Sequence, residues 1–284
     1  MNRFLASELP EIAPEKSLFH VIPAPYEASV SYGGGTANGP QAILNASDQL
    51  EVWDGISNPS ELGICTHPAV DCSGTAEQVM ENIEAAVANA AQHGIPVLLG
   101  GEHSVTLGAL RALQKKHGTF GVVQFDAHAD LRNAYEGNPY SHASVMRRAL
   151  DLGLPVYSIG VRALCAEEVA VRKEKKLAFL DARDLALNGI PAALLPDGFP
   201  QRIYITFDVD GLDPSVIRAT GTPVPGGVQW WQAIRLLERI VAGHTVIGCD
   251  VVELAPMPED HASDFAAAQL VYNMMGVIQR FAKR

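Results

Sequence analysis

The stretch Phe120-Gly121-Val122-Val123-Gln124-Phe125-Asp126-Ala127-His128-Ala129-Asp130 decides how this chain is read. Its first half is a short, apolar, β-branched run of strand length, and its second half turns at once into a His/carboxylate cluster. Residues two apart in an extended segment point to one side, so Asp126, His128 and Asp130 can aim at one point. The pattern recurs twice. Ile203–Phe207 runs into Asp208-Val209-Asp210, and Pro96–Leu99 runs into Gly100-Gly101-Glu102-His103-Ser104.

Outward from these clusters, short apolar runs alternate with amphipathic stretches of helix length. Strands are expected at Leu18–Ile22, Pro96–Leu99, Phe120–Phe125, Val156–Ile159, Leu177–Phe179, Ile203–Phe207 and Thr245–Cys249. Helices are expected at Gly39–Ala46, Ala76–His93, Ser104–Lys116, Ser141–Leu152, Ala166–Lys175, Gln229–Val241 and Ala262–Ala282. Pro40 fits a first helical turn, and Ser104 and Ser141 fit N-caps. Near-continuous apolar strands between helices imply an α/β fold with a parallel sheet covered on both faces. In such sheets ligands bind beyond the carboxyl ends of the strands, where all three clusters fall. No repeat, low-complexity tract or linker interrupts the pattern, so residues 1–284 read as one domain.

Each cluster alone also has a structural reading, as a polar turn or a helix cap. Together they supply what two divalent cations need, because carboxylates bridge ions. A shell rich in oxygen, with few imidazoles and no thiolate, favours hard to borderline metals such as Mn²⁺. The formal charge of −11 disfavours nucleic acid as a partner. Cys65, Cys72, Cys165 and Cys249 form no CxxC pair and read as reduced thiols, with a Cys65–Cys72 disulfide as the alternative. Residues 1–16 are too acidic for a signal peptide and no apolar run spans a bilayer, so a cytoplasmic protein without a membrane partner is expected.

Weaker features have plainer readings. Gly33-Gly34-Gly35-Thr36 lacks the spacing of a phosphate loop and reads as a flexible rim. Trp230-Trp231 reads as helix packing, Lys173–Lys176 as a solvated helix end and Cys249 as core. Asp250 and Glu253 follow a strand end, either facing the site or in a structural ion pair.

On these motifs the chain resembles the ureohydrolases, the family of arginases, agmatinases and related amidinohydrolases. The matching segments are Gly100–Ser104, Asp126–Asp130, Thr206–Pro214 with Thr220-Gly221-Thr222-Pro223, and Glu253-Leu254-Ala255-Pro256. Tyr26–Gly35 and Gly39-Pro40 look like the family's N-terminal region. The resemblance implies a three-layer α/β/α fold with an eight-stranded parallel sheet and two Mn²⁺ ions per subunit. It places His103, Asp126, Asp130 and Asp208 on one ion, and Asp126, His128, Asp208 and Asp210 on the other. It implies that Asp130 orients a metal-activated hydroxide and that Glu253 holds the guanidinium. His142 would carry a proton to the leaving amine, with Thr222 beside the substrate. Homotrimers or hexamers are common in the family.

Asp130-Leu131-Arg132, Tyr135-Glu136-Gly137 and Ser141-His142-Ala143-Ser144 look like agmatinase, and the arginase pattern that reads an α-amino acid is absent. The expected reaction is cleavage of agmatine to putrescine and urea. The alternatives are a guanidinobutyrase, an aminopropylagmatine ureohydrolase, an arginase, or a non-catalytic metal-binding relative. Arg132 could meet a substrate carboxylate or Glu136. A binuclear phosphoesterase would need a Gly-Asn-His segment that does not occur. Arg218 stands where the family usually has proline, read either as neutral loop variation or as an added cation at the entrance.

Overall fold

Alternating apolar strands and amphipathic helices close into one open sheet. The computed structural model describes residues 3–281; Met1, Asn2 and the expected helix end at Ala282 lie outside them. The strands are β1 Phe19–Ala24, β2 Ile64–Thr66, β3 Ile95–Gly100, β4 Gly121–Phe125, β5 Val156–Ile159, β6 Ala178–Leu180, β7 Arg202–Asp208 and β8 Thr245–Val252. The helices are α1 Gly39–Ser47, α2 Ala76–Ala90, α3 Thr106–His117, α4 Val145–Asp151, α5 Ala166–Glu174, α6 Ala182–Asn188, α7 Trp230–Val241 and α8 His261–Phe281. The sheet has eight strands in the order β2-β1-β3-β8-β7-β4-β5-β6, and every pairing is parallel.

Side chains leave a strand alternately to its two faces. Val97, Leu99, Val123, Phe125, Ile205 and Phe207 therefore enter one core with residues of α1, α7 and α8. Leu98, Val122 and Tyr204 enter a second core with residues of α2, α3, α4 and α5. Two cores, one on each face, make three layers. Phe125 and Phe207 stack across β4 and β7 with ring centroids 4.7 Å apart, which fixes the strands that carry the acidic clusters relative to one another.

Several expectations change. β2, of three residues, and α6, of seven, were not expected. β8 runs three residues beyond Cys249, so Asp250 lies inside the strand and not after it. Pro40 sits in the first turn of α1. Ser104 does not cap α3; its hydroxyl donates to Glu102 instead. Ser141 precedes a 3₁₀ turn, His142–Ser144, without a side-chain cap bond. Trp230 packs against the core, but Trp231 is largely exposed, contrary to the packing reading. All four cysteines are free, which removes the Cys65–Cys72 disulfide.

Candidate metal centre and active site

The three clusters meet where the central strands end. β4 delivers Asp126, His128 and Asp130; β7 ends at Asp208, with Asp210 in the turn that follows; β3 leads into His103. His103 Nδ1 lies 3.1 Å from Asp126 Oδ2, 3.0 Å from Asp130 Oδ2 and 3.4 Å from Asp208 Oδ2. His128 Nδ1 lies 3.0 Å from Asp210 Oδ2 and 3.6 Å from Asp126 Oδ1. Asp126 thus turns one oxygen to each imidazole, which is the posture of a bridging ligand. Two groups result, His103/Asp126/Asp208 and Asp126/His128/Asp210, each able to hold a cation.

The donor at His103 tests whether a cation fits. Its Nδ1 is buried with no hydrogen-bond partner, while its Nε2 lies 2.8 Å from Thr206 Oγ1. Thr106 Oγ1 gives its proton to Asp250, so Thr206 Oγ1, 3.4 Å away, donates to Thr106 Oγ1; Thr206 therefore accepts from His103 Nε2–H and the Nδ1 lone pair faces three carboxylates. That arrangement is repulsive unless a positive charge lies between them. Burial opposes charge on both imidazoles. The surrounding carboxylates overcome it, raising His103 well above its ordinary value and His128 to about 12. Asp130 is pushed up to about 7 by burial and then by the Asp126 charge, and burial with Asp210 and Asp126 raises Asp208 strongly. Protons and divalent ions compete for the same lone pairs, so a site that draws in protons this strongly fits a cation.

A polar row beneath the ligands orients them. Ser158 on β5, Gln124 on β4, Thr206 on β7 and Asp250 on β8 are register partners across four adjacent strands. Ser158 donates to Gln124 Oε1, and Gln124 Nε2 donates to Asp126 Oδ2 at 2.8 Å. Asp250 is fully buried without an ion pair among the described residues. It accepts from Tyr204 Oη, Thr106 Oγ1 and the Phe207 amide. Sequence reasoning singled out Asp250 but missed Ser158 and Gln124 and the row they form with it. The available signal was a polar residue in an apolar strand, two positions before a ligand.

Glu102 was missed too. Its buried carboxylate accepts from the Ala28 and Ser29 amides, Ser29 Oγ and Ser104 Oγ, pinning the loop that crosses the site. Ser29 Oγ gives its proton to Glu102 and accepts from the His142 amide at 2.9 Å, with His142 Nδ1 at 3.1 Å. Nδ1 therefore carries the proton and Nε2 keeps a lone pair. Burial keeps His142 below its ordinary value and so neutral near pH 7. Glu253 accepts the His103 amide with Oε1 at 2.6 Å, which leaves Oε2 available. Asp130 and Glu253 both adopt the left-handed backbone region, φ 52° and 64°, a strain that clusters at functional sites.

A narrow inner pocket of about 20 Å³ is lined by His103, Asp130, Asp208, Asp210 and Glu253. It shares Ser31, His128, Asp130, His142 and Thr222 with an outer cavity of about 300 Å³ that adds Tyr135, Leu164 and Glu168. Every residue expected at the site is therefore brought together. Gly33 lines the inner pocket, as expected of a rim. Arg132 lies over the Tyr135 ring in the outer wall. Arg218 lines neither space. It pairs with Asp260 at 3.0 Å with its side chain mostly exposed, which supports neutral loop variation over an entrance cation.

The arginase-family profile matches residues 17–276. The chain belongs to the arginase family. Members of this ureohydrolase family are hydrolases of guanidino or amidino groups that use two metal ions, and the two Asp/His groups stand where such a centre requires them. N(1)-aminopropylagmatine ureohydrolase of Synechocystis sp. is 40% identical over 276 residues, covering 90% of this chain and 87% of the relative. Agmatinase of Pyrococcus horikoshii is 30% identical, covering 96% of each. The crystal structure of agmatine ureohydrolase of Thermoplasma volcanium superposes with a TM-score of 0.86 at 32% identity, over 99% of this chain and 96% of that one. Among the described residues no helix is long and apolar enough to cross a membrane.

Proposed function

We propose that this chain hydrolyses the guanidino group of N1-aminopropylagmatine, releasing urea and the free triamine. The observation that carries the reading is the step from a pocket wide enough for little more than a guanidinium head to an outer cavity with room for a long tail. Glu168 lines that cavity. Its two oxygens accept the Leu131 and Cys165 amides, leaving lone pairs for an ammonium on the tail. The higher identity to an aminopropylagmatine ureohydrolase supports the longer substrate over agmatine, the expectation from the motifs alone. Agmatine is the second reading, supported by the Pyrococcus and Thermoplasma relatives.

His103, Asp126, Asp130 and Asp208 would hold one cation, and Asp126, His128, Asp208 and Asp210 the other, with Mn²⁺ as our assignment from the oxygen-rich donor set. Two such ions would lower the pKa of bound water from 15.7 to about 7 and supply hydroxide at neutral pH. Asp130 orients the attacking oxygen by accepting its hydrogen bond. Glu253 Oε2 holds the guanidinium N–H groups by a charge-assisted contact and offsets desolvation of the cation. Thr222, on the wall shared by both pockets, flanks the chain of the substrate. As the C–N bond to the tail breaks, His142 Nε2 delivers to the leaving amine the proton released by the attacking water.

The test is urea release by Mn²⁺-loaded protein from N1-aminopropylagmatine, agmatine, arginine and 4-guanidinobutyrate. The expected order of kcat/KM places N1-aminopropylagmatine first. Faster turnover of agmatine would select the second reading, and release of urea from none of them would overturn both. Glu253→Gln should lower kcat/KM by roughly 100-fold, the scale of one lost charge-assisted contact at about 3 kcal/mol.

A further inference from the structure

We propose that His20, Cys65 and His67 form a second metal site, distinct from the carboxylate centre, that takes a borderline-soft divalent cation of the zinc type. His20 and Cys65 are register partners on β1 and β2, so their side chains leave the sheet on the same side. His67, two residues beyond Cys65, returns to that side, and its amide bonds to Val21 O. One donor atom from each of the three lies within 4.8 Å of the others. His20 Nδ1 and His67 Nε2 are 2.9 Å apart. A tetrahedral ion with metal–nitrogen bonds of about 2.0–2.1 Å and a metal–sulfur bond of about 2.3 Å separates its ligands by roughly 3.4 Å. Small side-chain rotations reach that spacing.

A second observation points to a ligand. His20 Nε2 lies 3.1 Å from Ser17 O, so that nitrogen carries the proton and Nδ1 turns its lone pair toward Cys65 and His67. A backbone carbonyl that fixes the ring and tautomer in this way is the usual support of a metal-binding histidine. The ring centroids of His67 and His93 lie 5.2 and 6.0 Å from that of His20. Burial and this crowding of imidazoles keep His20 and His67 below their ordinary values, hence in the neutral form that ligates. A cavity of about 540 Å³ reaches Cys65 and His67, with Glu11 and Arg3 also on its wall. The nearby charges of Glu11 and Glu15 bear on Cys65 and favour a cation. Burial raises the Cys65 thiol, so binding releases its proton to solvent as the sulfur–metal bond forms.

The place in the fold separates this cluster from the catalytic one. β2 is an edge strand and His20 is the second residue of β1, whereas the carboxylate centre lies beyond the carboxyl ends of the central strands. The donor sets differ as well. One thiolate with two imidazoles selects zinc-like ions, and the oxygen-rich centre selects harder ones.

The experiment titrates Mn²⁺-loaded protein with Co²⁺ alone and reads near-ultraviolet thiolate-to-cobalt charge transfer, which a centre of oxygens and imidazoles cannot give. The expected result is a band saturating at about one equivalent per chain. It disappears in Cys65→Ser and persists in Cys72→Ser and Cys165→Ser, and excess Zn²⁺ bleaches it. His67→Ala, at a partly exposed position, keeps the fold by far-ultraviolet circular dichroism and weakens Co²⁺ binding more than about tenfold. Absence of the band in the unaltered protein, or its survival in Cys65→Ser, would overturn the site and leave the cluster as a hydrogen-bonded imidazole pair. A band lost only in Cys165→Ser would also overturn it, since Cys165 lines the catalytic vestibule.

Discussion

Glu102 shows how much one side chain governs here. Its buried carboxylate accepts from two amides and one hydroxyl of the partly exposed Ala28–Ser29 loop and from the buried Ser104 hydroxyl. Glu102→Ala leaves four donors, the buried Ser104 hydroxyl among them, without this acceptor. The expected destabilisation is about 3 kcal/mol, since each such group costs about 1–3. That corresponds to a fall of roughly 6 °C in the unfolding midpoint. Faster hydrogen exchange at residues 26–31 in the same variant would place the loosening in the loop over the site. An unchanged midpoint would show that the loop holds without Glu102.

His142 carries a prediction at the same scale. Its folded pKa is lowered, so the neutral ring that takes up and passes on a proton persists to below pH 6.5 and is lost only as pH falls through that lowered value. The ratio of wild-type to His142→Ala turnover should therefore stay constant from pH 8 down to about 6.5 and shrink only below it. A ratio that shrinks well above pH 6.5, or equals one throughout, would remove His142 from proton transfer.

Among the elements, β4, β7 and β8 do more than cross the core. Their register aligns Gln124, Thr206 and Asp250 in one row, and that row aims Asp126 and His103. Thr206→Val keeps the volume but removes both the acceptor for His103 Nε2 and the hydroxyl that meets Thr106 Oγ1. We expect Mn²⁺ affinity, measured by calorimetry, to fall about 10–100-fold with the fold retained, because outer partners of metal-bound histidines have that effect. Unaltered affinity would mean that packing alone orients His103. Phe125→Ala, which deletes one partner of the stacked pair joining β4 and β7, should cost about 3–5 kcal/mol in a urea melt.

For the whole molecule, cation binding links three strands that are distant in sequence. His103 follows β3, the Asp126 cluster follows β4, and Asp208 ends β7. Ions that bind only the folded chain stabilise it by about 2.7 kcal/mol at 100 times Kd. Chelation should therefore lower the unfolding midpoint and Mn²⁺ should restore it. Equal midpoints with and without chelator would mean that the donors do not act together.

The sequence by itself determined the layer architecture and where the His/carboxylate clusters fall, for a physical reason. Near-continuous apolar runs such as Phe120–Phe125 are buried on both faces, and donors placed two apart immediately after them are legible without knowing what lies across the sheet. Only the tertiary structure decided the rest. β2 and α6 are held by neighbours and not by periodicity; Asp250 is a member of a strand because β7 pairs with it through Asp208. Glu102 meets Ser29 across seventy-three residues and Gln124 meets Thr206 across the sheet, contacts that depend on register. The His20–Cys65–His67 group exists only because β1 and β2 align as they do. A chain read in order carries its local periods, but not the pairing that brings distant polar side chains within bonding distance.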